Sequence, residues 1–481
     1  MVADLLAREI TSLTYDSRRV KPGDLFFAIR GEKADGYNFV QQALERGAVA
    51  VASERSAPPD LAGRWVRVPH VRRALAEAAR VFYRDPVSRL QLVGITGTNG
   101  KTTTAFLLHS ILEAAGMRPG LFGTVEYRLG GHTLPAVRTT PESADLLSYF
   151  AGLVAAGGRA AIMEVSSHAL AQERVWGIHF LAAVFTNLTR DHLDYHKDFE
   201  SYFAAKRRLF EGVGAPPPEL AVVNLDDPWG ERLLQLPQKR HVTYGISSDA
   251  QVQVVNFTQN LTGVRATLMT PQGKLEIASP LVGRANLENI LAAVATAQAL
   301  GVAEETVRQG IADLKSVPGR FERVSEGQPF LVVVDYAHTD DALRNALKTA
   351  RELTRHRLIV VFGCGGDRDR AKRPLMGEVA GAMSDLAVLT SDNPRTEDPI
   401  KIMNDAIVGL QRANKPYLTE VDRRTAIRKA LTEAGDGDVV LIAGKGHETY
   451  QVLKDETIPF DDREVARQVL WEMRQGKQPS A

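Results

Sequence analysis

The chain has 481 residues, of which 44% are hydrophobic and 24% charged. These are the proportions of an ordinary folded protein, and the length suffices for about three domains at roughly 100 to 200 residues each, so a single small module and global disorder are both excluded. The 59 Lys plus Arg nearly cancel the 58 Asp plus Glu, for a net charge of +1, so no overall field draws the chain to nucleic acid or an anionic membrane, and any anionic ligand must be held locally.

The first residues, MVADLLAREI, lack the basic and apolar regions of a signal peptide, and no run of about 18 apolar residues exists to span a bilayer. The single cysteine, Cys364, can form neither an internal disulfide nor a thiolate cluster, which fits a reducing compartment, the cytoplasm by default. Residues 1–88 hold short apolar runs (Leu25 to Ile29, Ala48 to Ala52) between turn-rich segments and end at Tyr83-Arg84-Asp85-Pro86, the pattern of a small α/β unit followed by a linker. From Gln91 a strand (Leu92 to Ile95), a glycine-rich turn and a helix (Lys101 to Ala115, closed by Gly116) follow in the layout of a phosphate-binding loop. Buried strands are predicted at Ala160 to Val165, Leu181 to Phe185 and Leu220 to Val223 with helices between, as in a parallel sheet. Between Ala250 and Val282 the alternating pattern predicts an antiparallel accessory sheet with a Pro271-Gln272-Gly273 turn, and Leu287 to Leu300 a helix.

A second boundary is expected near Ser316-Val317-Pro318-Gly319, dividing the chain into units 1–88, 89–317 and 318–481. Beyond it, predicted strands at Leu331 to Val334, Leu358 to Phe362, Leu386 to Leu389 and Val439 to Ile442 each run into a polar loop: Asp335-Tyr336-Ala337-His338, Gly363 to Arg368, Asp392-Asn393-Pro394-Arg395 and Gly444-Lys445-Gly446-His447-Glu448. Carboxyl ends of strands in an open parallel sheet lie along one edge, so these loops should meet in one crevice. The fold class expected is α/β: a central P-loop sheet domain with an accessory β-sheet, a small N-terminal domain and a Rossmann-like C-terminal domain.

The segment Gly94 to Thr103 offers backbone N–H groups of Gly97, Thr98, Asn99 and Gly100 to phosphates, Lys101 to the outer phosphates and the Thr102 hydroxyl to Mg²⁺, with Thr103 next on the helix. Ile95 stands where the general P-loop pattern has its first glycine. Glu164, ending a buried strand, is a Mg²⁺ candidate because a charge there is expensive unless a cation meets it. The loop Asn187 to His196 crowds His and Asp. Lys206, by local sequence alone, reads as a solvated helical lysine.

The run Gly94 to Thr104, Glu164-Val165-Ser166-Ser167-His168, Thr186 to His196, Ala204-Ala205-Lys206 and the four C-terminal loops together resemble the Mur ligases over nearly the whole chain. The Asp392-Asn393-Pro394-Arg395 loop resembles members that use meso-diaminopimelate. The resemblance implies a cytoplasmic, ATP-dependent amide synthesis in peptidoglycan assembly. In it the γ-carboxylate of D-glutamate in UDP-N-acetylmuramoyl-L-alanyl-D-glutamate (UDP-MurNAc-L-Ala-D-Glu) is phosphorylated and then attacked by the amine, with Mg²⁺ neutralising the anions. It further implies that Gly97 to Thr103 cradle ATP, that Thr102, Glu164 and His192 build metal sites, and that Lys206 carries a carbamate formed from CO₂, an oxygen ligand suited to Mg²⁺. Asn289 and Arg320 resemble nucleotide contacts. Tyr15, Asp16, Ser17, Glu32, Lys33 and Ala34 match the uridine-binding segments, and Thr139, Thr140, Ser166, Gln172 and Arg174 the contacts to the rest of that substrate. Arg368, Asp392, Asn393, Pro394, Arg395, Gly444 and Glu448 match the amino-acid pocket.

Two positions depart from the family pattern. Arg138 precedes the Thr pair where relatives often have Asn, and Asp340 stands where they usually have Pro, with an altered helix start and no lost chemistry expected. Expected partners are the three small-molecule substrates, with no nucleic acid, no membrane span and a monomeric chain. The competing readings are the same ligase using L-lysine or ornithine, a folylpolyglutamate-synthase-like ligase, and a P-loop switch or nucleic-acid motor. The last leaves the four C-terminal loops unexplained.

Overall fold

A computed structural model describes residues 10–31 and 34–476; Glu32 and Lys33 lie outside the described residues. Four short parallel strands, β1 (Ser12–Thr14), β2 (Asp24–Phe27), β3 (Ala50–Ser53) and β4 (Trp65–Arg67), form an N-terminal sheet in sequence order. The Val71–Phe82 helix lays Val71, Ala74, Leu75, Ala78 and Ala79 against it, an apolar stripe at helical spacing.

The central sheet has eleven strands. Its parallel middle is β9 (Ala160–Glu164), β5 (Gln91–Thr96), β10 (Ala182–Phe185), β11 (Leu220–Asn224) and β12 (Arg240–Gly245), in spatial order β9-β5-β10-β11-β12. Both faces are covered, which is why these strands read as unbroken apolar runs. On β5, Leu92 faces the core that holds the Ser143–Ala155 helix, while Val93 and Ile95 face the core of the Lys101–Ala114 and Arg284–Ala299 helices.

The strands predicted as an accessory sheet, β13 (Val252–Asn260), β14 (Gly263–Thr270) and β15 (Gly273–Ser279), are antiparallel to one another. They do not form a separate sheet. Tyr244 and Gly245 of β12 pair with Val252 and Gln253 of β13, and this two-residue splice continues the central sheet. At the other edge β6 (Gly120–Phe122), β7 (Glu126–Leu129) and β8 (His132–Pro135) extend it past β9.

The C-terminal sheet holds β16 (Glu322–Val324), β17 (Leu331–Asp335), β18 (Leu358–Cys364), β19 (Leu386–Ser391), β20 (Tyr417–Glu420) and β21 (Val439–Ala443), in order β16-β17-β21-β18-β19-β20. All neighbours are parallel except β16 with β17. Alternate residues of β18 go to opposite cores: Leu358, Val360, Phe362 and Cys364 to one, Ile359 and Val361 to the other. The carboxyl ends of β17, β18, β19 and β21 share one edge. The helix that begins at Asp340 is capped by Thr339, which accepts from Ala342 N at 3.2 Å, and Asp340 occupies its first turn.

Candidate active site

Between β5 and the Lys101–Ala114 helix the chain turns through Gly97 (φ +148°) and Gly100 (φ +87°). A Cβ at Gly97 would stand 1.8 Å from Thr186 Oγ1, and one at Gly100 2.3 Å from Asn289 Oδ1, so both positions require glycine on space as well as backbone angle. The turn is held from the neighbouring β10 loop: Thr98 N donates to Asn187 O (2.8 Å), and Asn99 N to Asn187 Oδ1 (2.9 Å). Lys101 Nζ lies over the loop, donating to the carbonyls of Gly97 (2.9 Å) and Thr98 (2.8 Å).

Glu164 ends β9 beside Ile95 of β5 and is 1% exposed. Its carboxylate accepts from Thr102 Oγ1 (3.1 Å), Thr124 Oγ1 (3.0 Å) and Thr124 N (2.8 Å). Arg320 Nη2 donates to the same Thr102 hydroxyl (3.0 Å), and its guanidinium covers the Tyr336 ring at 4.6 Å. Thr103 and Asn289 are buried alongside, with Thr104 Oγ1 donating to Asn289 Oδ1 at 3.4 Å.

Lys206 is not a solvated lysine. It is 2% exposed, because Tyr202, Phe203, Leu209 and Phe210 bury the same side of the Phe199–Glu211 helix. Its Nζ donates to Gly97 O at 2.7 Å and sits 4.3 Å above the Tyr202 ring. Burial, reinforced by the Lys101 charge, pushes this amine well below the usual lysine range, which shifts it toward the neutral form that can take up CO₂. His192 (φ +53°) follows β10, its ring edge-on to His168 with centroids 4.8 Å apart. Partial desolvation in the cavity lowers it below the usual histidine range against the Asp191 carboxylate 3.3 Å away, the side chain remaining 44% exposed, which favours a neutral ring able to offer a lone pair.

The P-loop, Glu164, Asn289 and Arg320 line a cavity of about 270 Å³, which is adjoined by a second of about 610 Å³. Thr139, Thr140, Ser166, Gln172 and Arg174 line it from the central sheet, and all four C-terminal loops reach it with Arg368, Asp392, Asn393, Arg395, Gly444 and Glu448 among their residues. Arg174 is fixed by Gln172 Oε1 (2.7 Å) and Thr140 O (3.1 Å). Arg395 (φ +54°) donates one N–H to Gly366 O at 2.6 Å, leaving four of the five donors of a guanidinium for other groups. Asn393 Nδ2 donates to Glu448 Oε2 at 2.8 Å, and its Oδ1 accepts from Lys445 and from Val452 N. Burial raises the Glu448 carboxyl against the pull of Lys445. Pro394 does not line the cavity; its carbonyl accepts from Glu397 N and shapes the loop.

Of the N-terminal candidates, Tyr15 reaches the central unit, its Oη donating to Asp145 Oδ2 at 2.5 Å. Asp16 pairs with Arg18, Ser17 donates to Gln42 at 2.7 Å, and Ala34 O accepts from Gly31 N.

Three profiles of one family match in succession: the Mur ligase family, catalytic domain (residues 9–83), the Mur ligase middle domain (95–297), and the Mur ligase, glutamate ligase domain (319–446). A UDP-N-acetylmuramoyl-L-alanyl-D-glutamate--2,6-diaminopimelate ligase of Solibacter usitatus is 58% identical over 470 residues, covering 98% of this chain and 95% of that relative. The chain belongs to the Mur ligase family. A ligase of the same name from Geobacter sulfurreducens is 47% identical over 96% of this chain and 94% of its own length. A solved structure of a ligase of that name has a TM-score of 0.66 at 35% identity, covering 96% of this chain and 95% of that one. Folylpolyglutamate synthase of Mycobacterium tuberculosis shares the fold at 19% identity, with a TM-score of 0.62 over 84% of this chain and 95% of that chain.

In this Mur ligase, sequence reasoning passed over two buried charged groups that stand behind the second cavity and hold residues lining it. Lys445 is fully buried, 3.2 Å from Glu448 and 3.7 Å from Asp392. Its signal was present in the Gly444-Lys445-Gly446 run, where flanking glycines bring backbone close. Glu142, joined by three arginines, had no local signal, since its partners lie 4 to 70 residues away.

Proposed function

We propose that this chain joins an amine of meso-diaminopimelate to the D-glutamate γ-carboxylate of UDP-MurNAc-L-Ala-D-Glu, converting ATP to ADP and phosphate through an acyl phosphate, in cytoplasmic peptidoglycan synthesis. The observation that carries this reading is the meeting of the two cavities. Thr139, Ser166, Asp191, His192, Tyr336 and His338 line both, so a phosphate held by the P-loop and an amino acid held by the C-terminal loops approach one another across those residues. The names of the relatives at 47% and 58% identity support the choice of substrates.

A carboxylate is a poor electrophile until one oxygen becomes a phosphate leaving group, so the residues must first bring two anions together. The N–H groups of Gly97 to Gly100 and Lys101 hold the phosphates of ATP. The Thr102 hydroxyl and the Glu164 carboxylate are hard oxygen donors 3.1 Å apart, and they fit Mg²⁺, which takes one or two carboxylates and fills its shell with phosphate oxygens and water. When bound, Mg²⁺ neutralises charge on the phosphates. The buried Lys206 amine, in its carbamate form, and His192 would supply a second set of donors. Arg320 brings the third unit's positive charge onto Thr102. Thr139, Thr140, Ser166 and Arg174 orient the acceptor, and Arg368, Arg395, Asn393 and Glu448 the incoming amino acid. Tyr15, Ser17, Glu32, Lys33 and Ala34 are assigned to its uridine end, and the chain acts as a monomer.

Phosphate release with ATP and UDP-MurNAc-L-Ala-D-Glu, compared across meso-diaminopimelate, L-lysine and ornithine, tests the proposal. Turnover with diaminopimelate far faster than with lysine or ornithine is expected. Preference for lysine, or turnover only with a folate and glutamate, would contradict it.

A further inference from the structure

Glu142 caps the Ser143–Ala155 helix, is 3% exposed, and has no role in the scheme above. Three guanidiniums converge on it: Arg72 Nη1 lies 2.6 Å from Oε2, Arg138 Nη1 2.9 Å from Oε1, and Arg174 Nε 3.2 Å from Oε1. One carboxylate offsets one of three positive charges. Asp145, one turn on, is already bonded to Tyr15 and faces Arg19 at 3.4 Å. Two charges therefore remain for an external anion to meet, with Arg138 open at 43% to the cavity side and Arg72 and Arg174 largely buried.

The two oxygens divide by location. Oε1 holds Arg138 and Arg174, which line the second cavity, whereas Oε2 holds Arg72, on the Val71–Phe82 helix of the N-terminal unit. Arg174 has other anchors in Gln172 and Thr140. The Arg138 side chain has Glu142 as its sole hydrogen-bonded partner among the described residues, so it depends on Glu142 more than Arg174 does.

We propose that Glu142 is a positioning residue for the acceptor substrate: it holds Arg138 and Arg174 where they take an anionic group of that ligand, and through Arg72 it fixes this grip relative to the N-terminal unit. The inference rests on the function proposed above, in which the nucleotide end of the acceptor binds the N-terminal unit and its peptide end the second cavity. A ligand spanning two seats gains affinity from both only when their separation is set, because the second contact then forms at high effective concentration. Arg72–Glu142 sets that separation, with Arg73 clamped on Glu173 at 2.7 Å beside it.

Calorimetric titration of the full chain with UDP alone and with UDP-MurNAc-L-Ala-D-Glu tests this. Glu142→Gln should weaken the full acceptor at least tenfold, leave UDP within twofold and leave KM for ATP within twofold, and Glu142→Asp should recover part of the loss. Arg138→Gln, altering a side chain 43% exposed, keeps the test decisive should Glu142→Gln fail to fold; it should weaken the full acceptor at least fivefold and spare UDP. An Arg138→Gln chain that binds the acceptor as tightly as wild type, or variants that lose UDP and acceptor equally, would overturn the inference. A wild-type chain that binds no UDP-muramyl dipeptide would instead overturn the proposed function.

Discussion

In the proposed reaction Arg395 is the side chain assigned to choose between diaminopimelate and lysine. Diaminopimelate carries a carboxylate at its distal carbon that lysine lacks, and a guanidinium with one donor committed to Gly366 O retains a two-pronged face for it. Arg395→Ala should weaken kcat/KM for diaminopimelate by at least about 2 kcal/mol while changing the slow use of lysine much less. Equal losses for both would mean that the side chain only braces its loop. Glu164 and Lys101 were legible because a carboxylate closing an apolar strand and a lysine after glycine each need a reason. Lys206 was legible only by resemblance, since its burial depends on Tyr202 and Phe210 meeting a sheet that local sequence does not display.

Glu288 supplies a pH test at the same scale. Burial, with Asp226, Asp227 and Asp341 nearby, raises its carboxyl to about 7 despite Arg284. A raised carboxyl favours the folded state where it is protonated, and that contribution is lost as pH rises through the folded value of about 7. Glu288→Gln should therefore stabilise the chain by about 1 to 2 kcal/mol at pH 8, allowing for partial solvent access, and by almost nothing near pH 4. Chemical denaturation at the two pH values measures the difference; an equal effect at both would exclude an ionisation origin.

At the scale of elements, the strand–turn–helix at β5 is the best specified, because propensity, glycine placement and neighbours agree. Gly100 combines φ +87° with a Cβ position 2.3 Å from Asn289 Oδ1. Gly100→Ala should lower ATP affinity at least tenfold and destabilise the fold by about 1 to 3 kcal/mol, read by nucleotide titration and thermal melting. Wild-type affinity would show that the turn tolerates a side chain. The strands β13 to β15 were legible as antiparallel but not as part of the central sheet. Their join to β12 consists of two residue pairs, Tyr244 with Val252 and Gly245 with Gln253, and a pairing so short leaves no period in the sequence. The C-terminal loops were legible as a group because parallel topology places successive strand ends on one edge whatever the loop sequences are.

Across the whole molecule, the N-terminal unit shares an apolar core with the central one, whereas the central and third units meet through polar contacts around the site. Asn99 Nδ2 donates to Asp341 Oδ2 (3.0 Å), Arg320 to Thr102 (3.0 Å), and Arg190 faces Asp369 at 3.8 Å. Interfaces of this kind slide or open more readily than apolar cores, so nucleotide and acceptor together should draw the third unit inward. Small-angle scattering should show a smaller radius of gyration with both bound than with neither; an unchanged radius would argue for a rigid arrangement. No helix among the described residues is long and apolar enough to cross a membrane.

The central claim is that one site phosphorylates the glutamyl γ-carboxylate and passes its acyl group to the amine. Labelling both oxygens of that carboxylate with ¹⁸O and analysing the products by mass spectrometry tests it most directly. With ATP and meso-diaminopimelate, each phosphate released should carry one ¹⁸O, and the new amide should keep the other. Release of unlabelled phosphate, or a product retaining both labels, would contradict the acyl-phosphate route and the pairing of cavities from which it was inferred.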